Sequence, residues 1–146
     1  MKTLKIVTLL LCFLLAACSH GPEPISYGKD ACMHCKMTIM DKHFAAELIT
    51  RKGKVLKFDA TECMVGFLKE NPVIVNDVKS NFLVNDYTGP GQFYDARKCY
   101  FLRDGSISSP MGGNLAAFLS RSAAESVKKD SSAKIYDWSL LVSEVR

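Results

Sequence analysis

The chain has 146 residues, of which 48% are hydrophobic, and a formal net charge of +4 from 19 Lys and Arg against 15 Asp and Glu. This length suffices for one compact domain or two small intertwined units. Basic and acidic side chains alternate, and no basic run interleaves with aromatic residues, so the composition excludes a nucleic-acid surface and predicts no nucleic-acid partner.

Residues 1–17 are predicted to be the signal peptide of a bacterial lipoprotein. Lys2 and Lys5 precede the apolar run "IVTLLLCFLLAA", which is too short for a comfortable membrane span. The run ends in "LAAC", with a small residue before Cys18, and the polar stretch "SHGPEP" follows. Cleavage would leave Cys18 as the first residue, with a diacylglycerol on its thiol and a third acyl chain on its amine.

Such a lipid anchor would hold the protein firmly, because each buried methylene contributes about 0.8 kcal/mol. We therefore expect lipidation at Cys18 and attachment to a bacterial membrane, facing the periplasm or the cell exterior. The sequence does not distinguish the inner from the outer membrane. The alternative is an ordinary secretory signal followed by a chance cysteine.

Residues 18–30 are predicted to form a lipidated tether, and residues 31–76 a first ββαβ-type unit. The segments "FAAELIT" and "KVLKF" flank "RKGK", where Gly53 supplies a turn, and predict a hairpin. "DATECMVGFLKENP" predicts a helix that ends at Pro72, since its apolar residues repeat at i, i+3 and i+4. "VIVND" predicts a short strand.

Residues 77–146 are predicted to form a second ββαβ-type unit. "NFLVNDY" and "RKCYFLRDG" predict strands, separated by the loop "TGPGQFYDA". "SSPMGGNLAAFLSRSAAESVKKD" predicts a loop entering a helix with Leu115, Phe118 and Leu119 on one face. "AKIYDW" predicts a strand and "SLLVSEV" a final short helix. Strands with helices between them indicate an α+β class.

The stretch "ACMHCKMTIM" contains Cys32 and Cys35 at C-x-x-C spacing. This spacing brings two sulfurs into one turn and suits zinc, a redox disulfide or a soft ion. Structural zinc normally needs a second pair, but Cys63 and Cys99 stand alone. A thioredoxin-like site expects the pair between a strand and a helix. Four cysteines also allow three disulfide pairings, so an oxidoreductase and a disulfide-stapled lipoprotein remain alternatives.

Methionines favour the soft-ion interpretation of this stretch. A thioether is a poor ligand for zinc but suits Cu(I), and one extended turn can aim the sulfurs of Cys35 and Met37 at a single ion. Met33 and Met40 lie in the same charged stretch; the alternative is that these methionines fill gaps in the core. His34 is either a ligand through its neutral imidazole or a solvent-facing spacer.

A further sulfur is predicted from the second half of the chain. Met111 lies between Pro110 and two glycines in "SSPMGGN", so a stiff corner presents its thioether. The alternative is a residue that folds back onto the core. Cys63 is interpreted as a buried small hydrophobe or an auxiliary thiol, with burial favoured, and Cys99 as a core residue.

Three segments in this order resemble the NosL family of copper-binding lipoproteins: "CMHCKM" near a lipidated N-terminus, "KVLKFDATECM" and "SPMGGNLAAF". The resemblance covers roughly residues 27–142. It implies an α+β fold of two ββαβ-type units, akin to part of organomercurial lyase. It also implies a Cu(I) accessory protein, not an enzyme, that helps build the copper–sulfide centre of nitrous oxide reductase.

The resemblance further implies a ligand set and partners. The family position of Lys36 is often glycine, so the lysine adds a positive charge beside the site. Nitrous oxide reductase or its maturation factors would be the partners, and the sequence leaves homodimer formation open. The Cu(I) donors that the resemblance implies are the sulfurs of Cys35, Met37 and Met111. To these we add Cys32 and His34 as optional donors.

Overall fold

The computed structural model describes residues 21–144, in which helices accompany two antiparallel sheets. The first sheet has the strand order β2-β1-β3-β4, and each neighbouring pair is antiparallel. Its strands are β1 (Ala46–Ile49), β2 (Val55–Phe58), β3 (Asn81–Asn85) and β4 (Phe93–Asp95).

The second sheet has the order β6-β5-β7 and is also antiparallel. Its strands are β5 (Tyr100–Arg103), β6 (Leu115–Phe118) and β7 (Lys134–Asp137), and a short 3-10 turn (Ala96–Lys98) leads into β5. The helices are α1 (Thr61–Glu70), α2 (Pro72–Val75), α3 (Arg121–Val127) and α4 (Trp138–Glu144).

The two sheets are built by the same order of elements. In each, two strands are followed by helical structure and a third strand, and the first strand lies between the other two. This confirms the predicted α+β class. The division at residue 76 stays a prediction; β3, which follows it along the chain, pairs with β1.

Aromatic packing joins the two sheets. Phe82 of β3 and Phe101 of β5 both contact the indole of Trp138, with ring centroids 5.2 and 5.9 Å apart. All three side chains are buried. Fully burying such a ring contributes about 1.5–3 kcal/mol, so this contact helps to hold α4 and both sheets together.

Two predicted elements are wrong, one in each half of the chain. "VIVND" is not a strand: Pro72–Val75 forms α2, with proline at a first-turn position and no buried residue. Proline fits the first turn of a helix, where its missing N–H costs nothing, and this outweighs the strand preference of the β-branched residues. The predicted loop "TGPGQFYDA" contains β4, which pairs with β3 along the edge of the sheet.

The helix predicted to contain Leu115 and Phe118 is also wrong. These residues lie in β6, and all four residues of the strand are buried. A short, wholly apolar run carries no period that distinguishes a strand from a helix. The helix α3 begins only at Arg121, where Ser120 caps it by accepting a hydrogen bond from the Ala123 N–H.

Part of the predicted tether packs on the fold. Ile25 is buried, and Lys57 Nζ donates to Pro24 O and to Asp30 Oδ2, both at 2.9 Å. The predicted signal peptide and the lipidation of Cys18 lie outside the described residues. Across residues 21–144, none of the helices has the length and apolar character needed to cross a membrane.

Candidate metal centre

The stretch "CMHCKM" forms a tight hairpin turn. An isolated antiparallel bridge joins Ala31 to Thr38. Within it, the Cys32 N–H donates to Met37 O at 2.8 Å, and the Lys36 N–H donates to Cys32 O at 3.1 Å. The chain therefore reverses direction between the two cysteines and the methionine, and both C-x-x-C sulfurs belong to one turn, as their spacing predicts.

Lys36 closes this turn in the left-handed conformation, with φ of 65°. Non-glycine residues pay for that conformation because Cβ crowds the carbonyl oxygen. The Lys36 ammonium donates to Met33 O at 2.5 Å, which keeps it against the turn. A glycine would fit this position, in agreement with the resemblance that places one there in related chains.

Helix α1 supplies a third thiol to the turn. The sulfurs of Cys32, Cys35 and Cys63 all lie within 4.8 Å of one another. With metal–sulfur bonds of about 2.3 Å, a trigonal planar ion needs sulfur–sulfur separations of about 4 Å. Cys32 and Cys63 are each 1% exposed, whereas Cys35 is half-buried. The cluster is thus a nearly preformed three-sulfur site that opens on the side of Cys35.

Hydrogen bonds make Cys32 the first of these thiols to ionise. The Cys63 thiol and the backbone N–H groups of Asp59, Cys35 and His34 all donate to the Cys32 sulfur, and they hold its pKa well below the usual value. The pKa of Cys63 is raised by this hydrogen bond to Cys32 and by burial, and the pKa of Cys35 is raised mainly by burial. The apo cluster therefore favours a single thiolate at Cys32.

His34 packs on α1 rather than in the sulfur cluster. A methyl group added at Gly66 would lie 2.7 Å from His34 Nε2, so the imidazole rests against the helix. His34 Nδ1 is 3.9 Å from a carboxylate oxygen of Glu70. Within residues 21–144, the donor group formed by the cysteines does not include this imidazole. Copper ligation by His34 stays a prediction.

The loop that carries Met111 is attached to α1 beside the cluster. Ser109 Oγ donates to Glu62 Oε1, and the Leu115 N–H donates to the same oxygen at 3.4 Å. Glu62 directly precedes Cys63 in the helix. One carboxylate therefore ties both ends of the Met111 loop to the turn of α1 that carries the third thiol.

The thioethers lie at the surface, outside the buried thiols. Met37 is 53% exposed and Met111 is 42% exposed, and Met40 is exposed as well. Met33, by contrast, packs against the core. The Cys32 N–H donates to Met37 O at 2.8 Å, which places the backbone of Met37 in the same turn as Cys32 and Cys35. Ligation by Met37 and Met111 stays a prediction, and the fold leaves both thioethers accessible.

Cys99 lies apart from the cluster. Its sulfur donates to Asp95 O at 3.4 Å, and burial raises its pKa to about 11. It is a core residue, as predicted. All four cysteines in the described part of the chain, Cys32, Cys35, Cys63 and Cys99, are free thiols.

The family is decided by a match over most of the chain. The family model for NosL matches residues 25–145. The chain belongs to the NosL family. It is also similar to a solved structure of that name, the crystal structure of the copper chaperone NosL from Shewanella denitrificans. The two chains are 26% identical, with a TM-score of 0.69 over 82% of this chain and 94% of the other. No curated protein sequence matches this NosL-family chain significantly.

Sequence reasoning undervalued Cys63. Its burial was predicted correctly, but its sulfur meets the C-x-x-C pair as well. One signal could have found it: "ATECM" belongs to the second of the three segments that carry the resemblance. Nothing in its spacing from Cys35 indicates a contact, because β1, β2 and the loops around them intervene.

Proposed function

We propose that this chain is a membrane-anchored Cu(I)-binding metallochaperone. The observation that carries the proposal is the cluster of three free thiols within 4.8 Å of one another, two of them almost fully buried. A carrier needs donors that hold its cargo without a rigid, completed shell. Three sulfurs, one of them on a half-buried cysteine, meet that need.

The donor set favours Cu(I) over zinc, the other metal ion that cysteine thiolates commonly bind. Soft thiolate and thioether ligands select Cu(I). Structural zinc is held by four ligands in a closed tetrahedron, and in residues 21–144 the group of potential His, Cys, Asp and Glu ligands has three members, all cysteines. A monovalent ion with few ligands can be held by three sulfurs. The thioethers of Met37 and Met111 would complete its coordination shell or replace one of the cysteines in it.

Delivery and location are part of the same proposal. Membership of the NosL family and the similarity to a copper chaperone support a role in copper delivery. We propose that the client is nitrous oxide reductase, or a factor that matures it, and that the copper is used to assemble the copper–sulfide centre. Lipidation at Cys18 would keep the carrier at the membrane, facing the periplasm or the cell exterior.

Metal competition tests the site. The reduced full-length chain, purified anaerobically in detergent, is titrated with Cu(I) in competition with bathocuproine disulfonate. We expect one tightly held Cu(I) per chain, and loss of tight binding when Cys32, Cys35 and Cys63 are replaced together by serine. Cys99→Ser is the matched control, since it removes a buried thiol outside the cluster. Unchanged affinity of the triple variant would overturn the proposal.

The client and the anchor need separate measurements. Copper-loaded chain mixed with copper-free nitrous oxide reductase should transfer copper to the reductase, followed by metal analysis after separation. If the copper stays on the carrier, with or without maturation factors, the proposed client is wrong.

Mass spectrometry of the chain isolated from bacterial membranes should show acyl chains on Cys18, and Cys18→Ala should release the protein from the membrane.

The oxidoreductase alternative has a distinct signature. In the structure the C-x-x-C pair occupies a hairpin turn, whereas a thioredoxin-like pair lies between a strand and a helix. An oxidoreductase would reduce insulin disulfides and would not depend on Met37 or Met111. Turnover in that assay would support the alternative instead of the carrier.

A further inference from the structure

We propose that Cys35 is a shared ligand between two copper positions. The inner position is the buried trio Cys32, Cys35 and Cys63, which holds the ion. The outer position is Cys35 with the exposed thioethers of Met37 and Met111, from which the ion leaves. This inference rests on the proposed copper-binding function and adds how the cargo is stored and released.

Burial separates the two positions. Cys32 and Cys63 are each 1% exposed, so an acceptor protein cannot reach their sulfurs. Met37 and Met111 are 53% and 42% exposed, so an incoming donor atom can approach them directly. Cys35 is half-buried. It is therefore the one thiol of the cluster that lies between the interior and the surface.

Local hydrogen bonds connect the outer donors to the inner trio. The Cys32 N–H donates to Met37 O at 2.8 Å, so Met37 lies in the same turn as Cys32 and Cys35. The Met111 loop is held by Glu62, the residue beside Cys63. The two thioethers thus belong to segments that are each attached next to one member of the trio.

The inner position offers three thiols to one ion. The sulfurs of Cys32, Cys35 and Cys63 lie within 4.8 Å of one another, close to the separation of about 4 Å that a three-coordinate ion needs. Thiolates bind Cu(I) more strongly than thioethers because they neutralise its charge. The ion should therefore rest on the trio and occupy the outer position only in passing.

Movement of the ion is a ligand exchange. The copper–sulfur bonds to Cys32 and Cys63 break while bonds to the sulfurs of Met37 and Met111 form, and the bond to Cys35 is kept throughout. Copper remains Cu(I), so no electron is transferred. The released Cys63 sulfur takes up the proton that it lost to solvent when copper bound, and Cys32 remains the thiolate that the copper-free cluster already favours.

Affinity and release rate separate the two positions experimentally. The full-length chain in detergent is loaded with Cu(I), its affinity is measured by chelator competition, and its release is timed after mixing with excess bathocuproine disulfonate. Cys63→Ser should weaken binding at least about tenfold, equivalent to about 1.4 kcal/mol. Met37→Leu with Met111→Leu should slow release about tenfold and weaken binding less than Cys63→Ser does.

Controls keep failure of this inference distinct from failure of copper binding. Cys35→Ser should weaken binding and Cys99→Ser should do nothing. Should Cys63→Ser not fold, alkylation of the loaded and the copper-free wild-type chain followed by mass spectrometry still tests the inner position, because copper should slow the modification of all three thiols relative to the copper-free chain. If copper binds but Cys63 is alkylated freely, or if the methionine variants lose affinity instead of release rate, the two-position scheme is wrong and the carrier function stands. If wild-type chain binds no Cu(I), both fall.

Discussion

Replacing Glu47 by glutamine should remove a pH dependence of stability that one buried carboxyl group creates. Glu47 lies on β1 opposite Lys57 of β2 and is 0% exposed. Its Oε2 accepts a hydrogen bond from the Glu23 N–H at 3.3 Å, but its Oε1 is buried without a partner. Burial raises the pKa of Glu47 to about 7, and the attraction of Lys57 offsets this only in part.

The sign and size of the effect follow from proton binding. Between the ordinary value of 4.5 and the folded pKa of about 7, the folded state holds a proton on Glu47 that the unfolded state has released. Stability contributed by the neutral carboxyl is therefore fully present below pH 4.5 and is lost as the pH rises to about 7. One pKa unit corresponds to about 1.4 kcal/mol, so the loss amounts to about 3 kcal/mol.

Urea denaturation at pH 5 and pH 8 measures this loss. The buried Trp138, the single tryptophan of the chain, reports unfolding by fluorescence. Glu47→Gln keeps the shape of the neutral side chain, so it should match wild type at low pH and exceed its stability by about 2–3 kcal/mol at pH 8. Glu125→Gln is the control, because Glu125 of α3 is exposed. An equal difference between pH 5 and pH 8 in wild type and Glu47→Gln would refute the reasoning.

Three further predictions about local geometry can be tested by urea denaturation. Lys36→Gly should stabilise the fold by up to about 1 kcal/mol, because Lys36 has φ of 65° and glycine adopts that conformation without strain; lower stability would contradict the strain. Gly113→Ala should destabilise the fold by about 1–3 kcal/mol, since the new methyl group would lie 2.7 Å from Glu62 Oε1, and wild-type stability would show that the loop is loose. Gly66→Ala should stabilise α1 by about 1 kcal/mol through helix propensity only when His34→Ala has removed the imidazole, whose Nε2 would otherwise lie 2.7 Å from the new methyl group. If the effects of the two single substitutions add up in the double variant, this contact is contradicted.

Much of the secondary structure could be predicted from local pattern. The hairpin of β1 and β2 follows from two strand-favouring segments around Gly53, whose φ is 81°. The helix α1 follows from apolar residues at helical spacing, and it ends before Pro72 as expected. Strand β7 and helix α4 were also predicted. Each of these elements is specified by about ten neighbouring residues, because the spacing of the apolar residues and the turn residues at the ends determine whether a strand or a helix forms.

The errors fall where local signals compete or are missing. Residues 115–118 are apolar throughout, so their pattern fits a strand or a helix, and pairing with β5 selects the strand. Val73 and its neighbours favour strands by composition, but proline at the first turn starts α2. In both cases the deciding interaction lies outside the short segment or in a single residue of special geometry.

The sequence by itself determined the soft chemistry of the site: the spacing of Cys32 and Cys35 places two sulfurs in one turn, and hydrogen bonds within the turn complete it. Only the tertiary structure decided that Cys63 joins them and that the Met111 loop is tied to α1 beside it. The physical reason is separation along the chain. A turn is fixed by neighbouring residues, whereas a contact between distant segments depends on how a helix packs on a sheet, which no local pattern specifies.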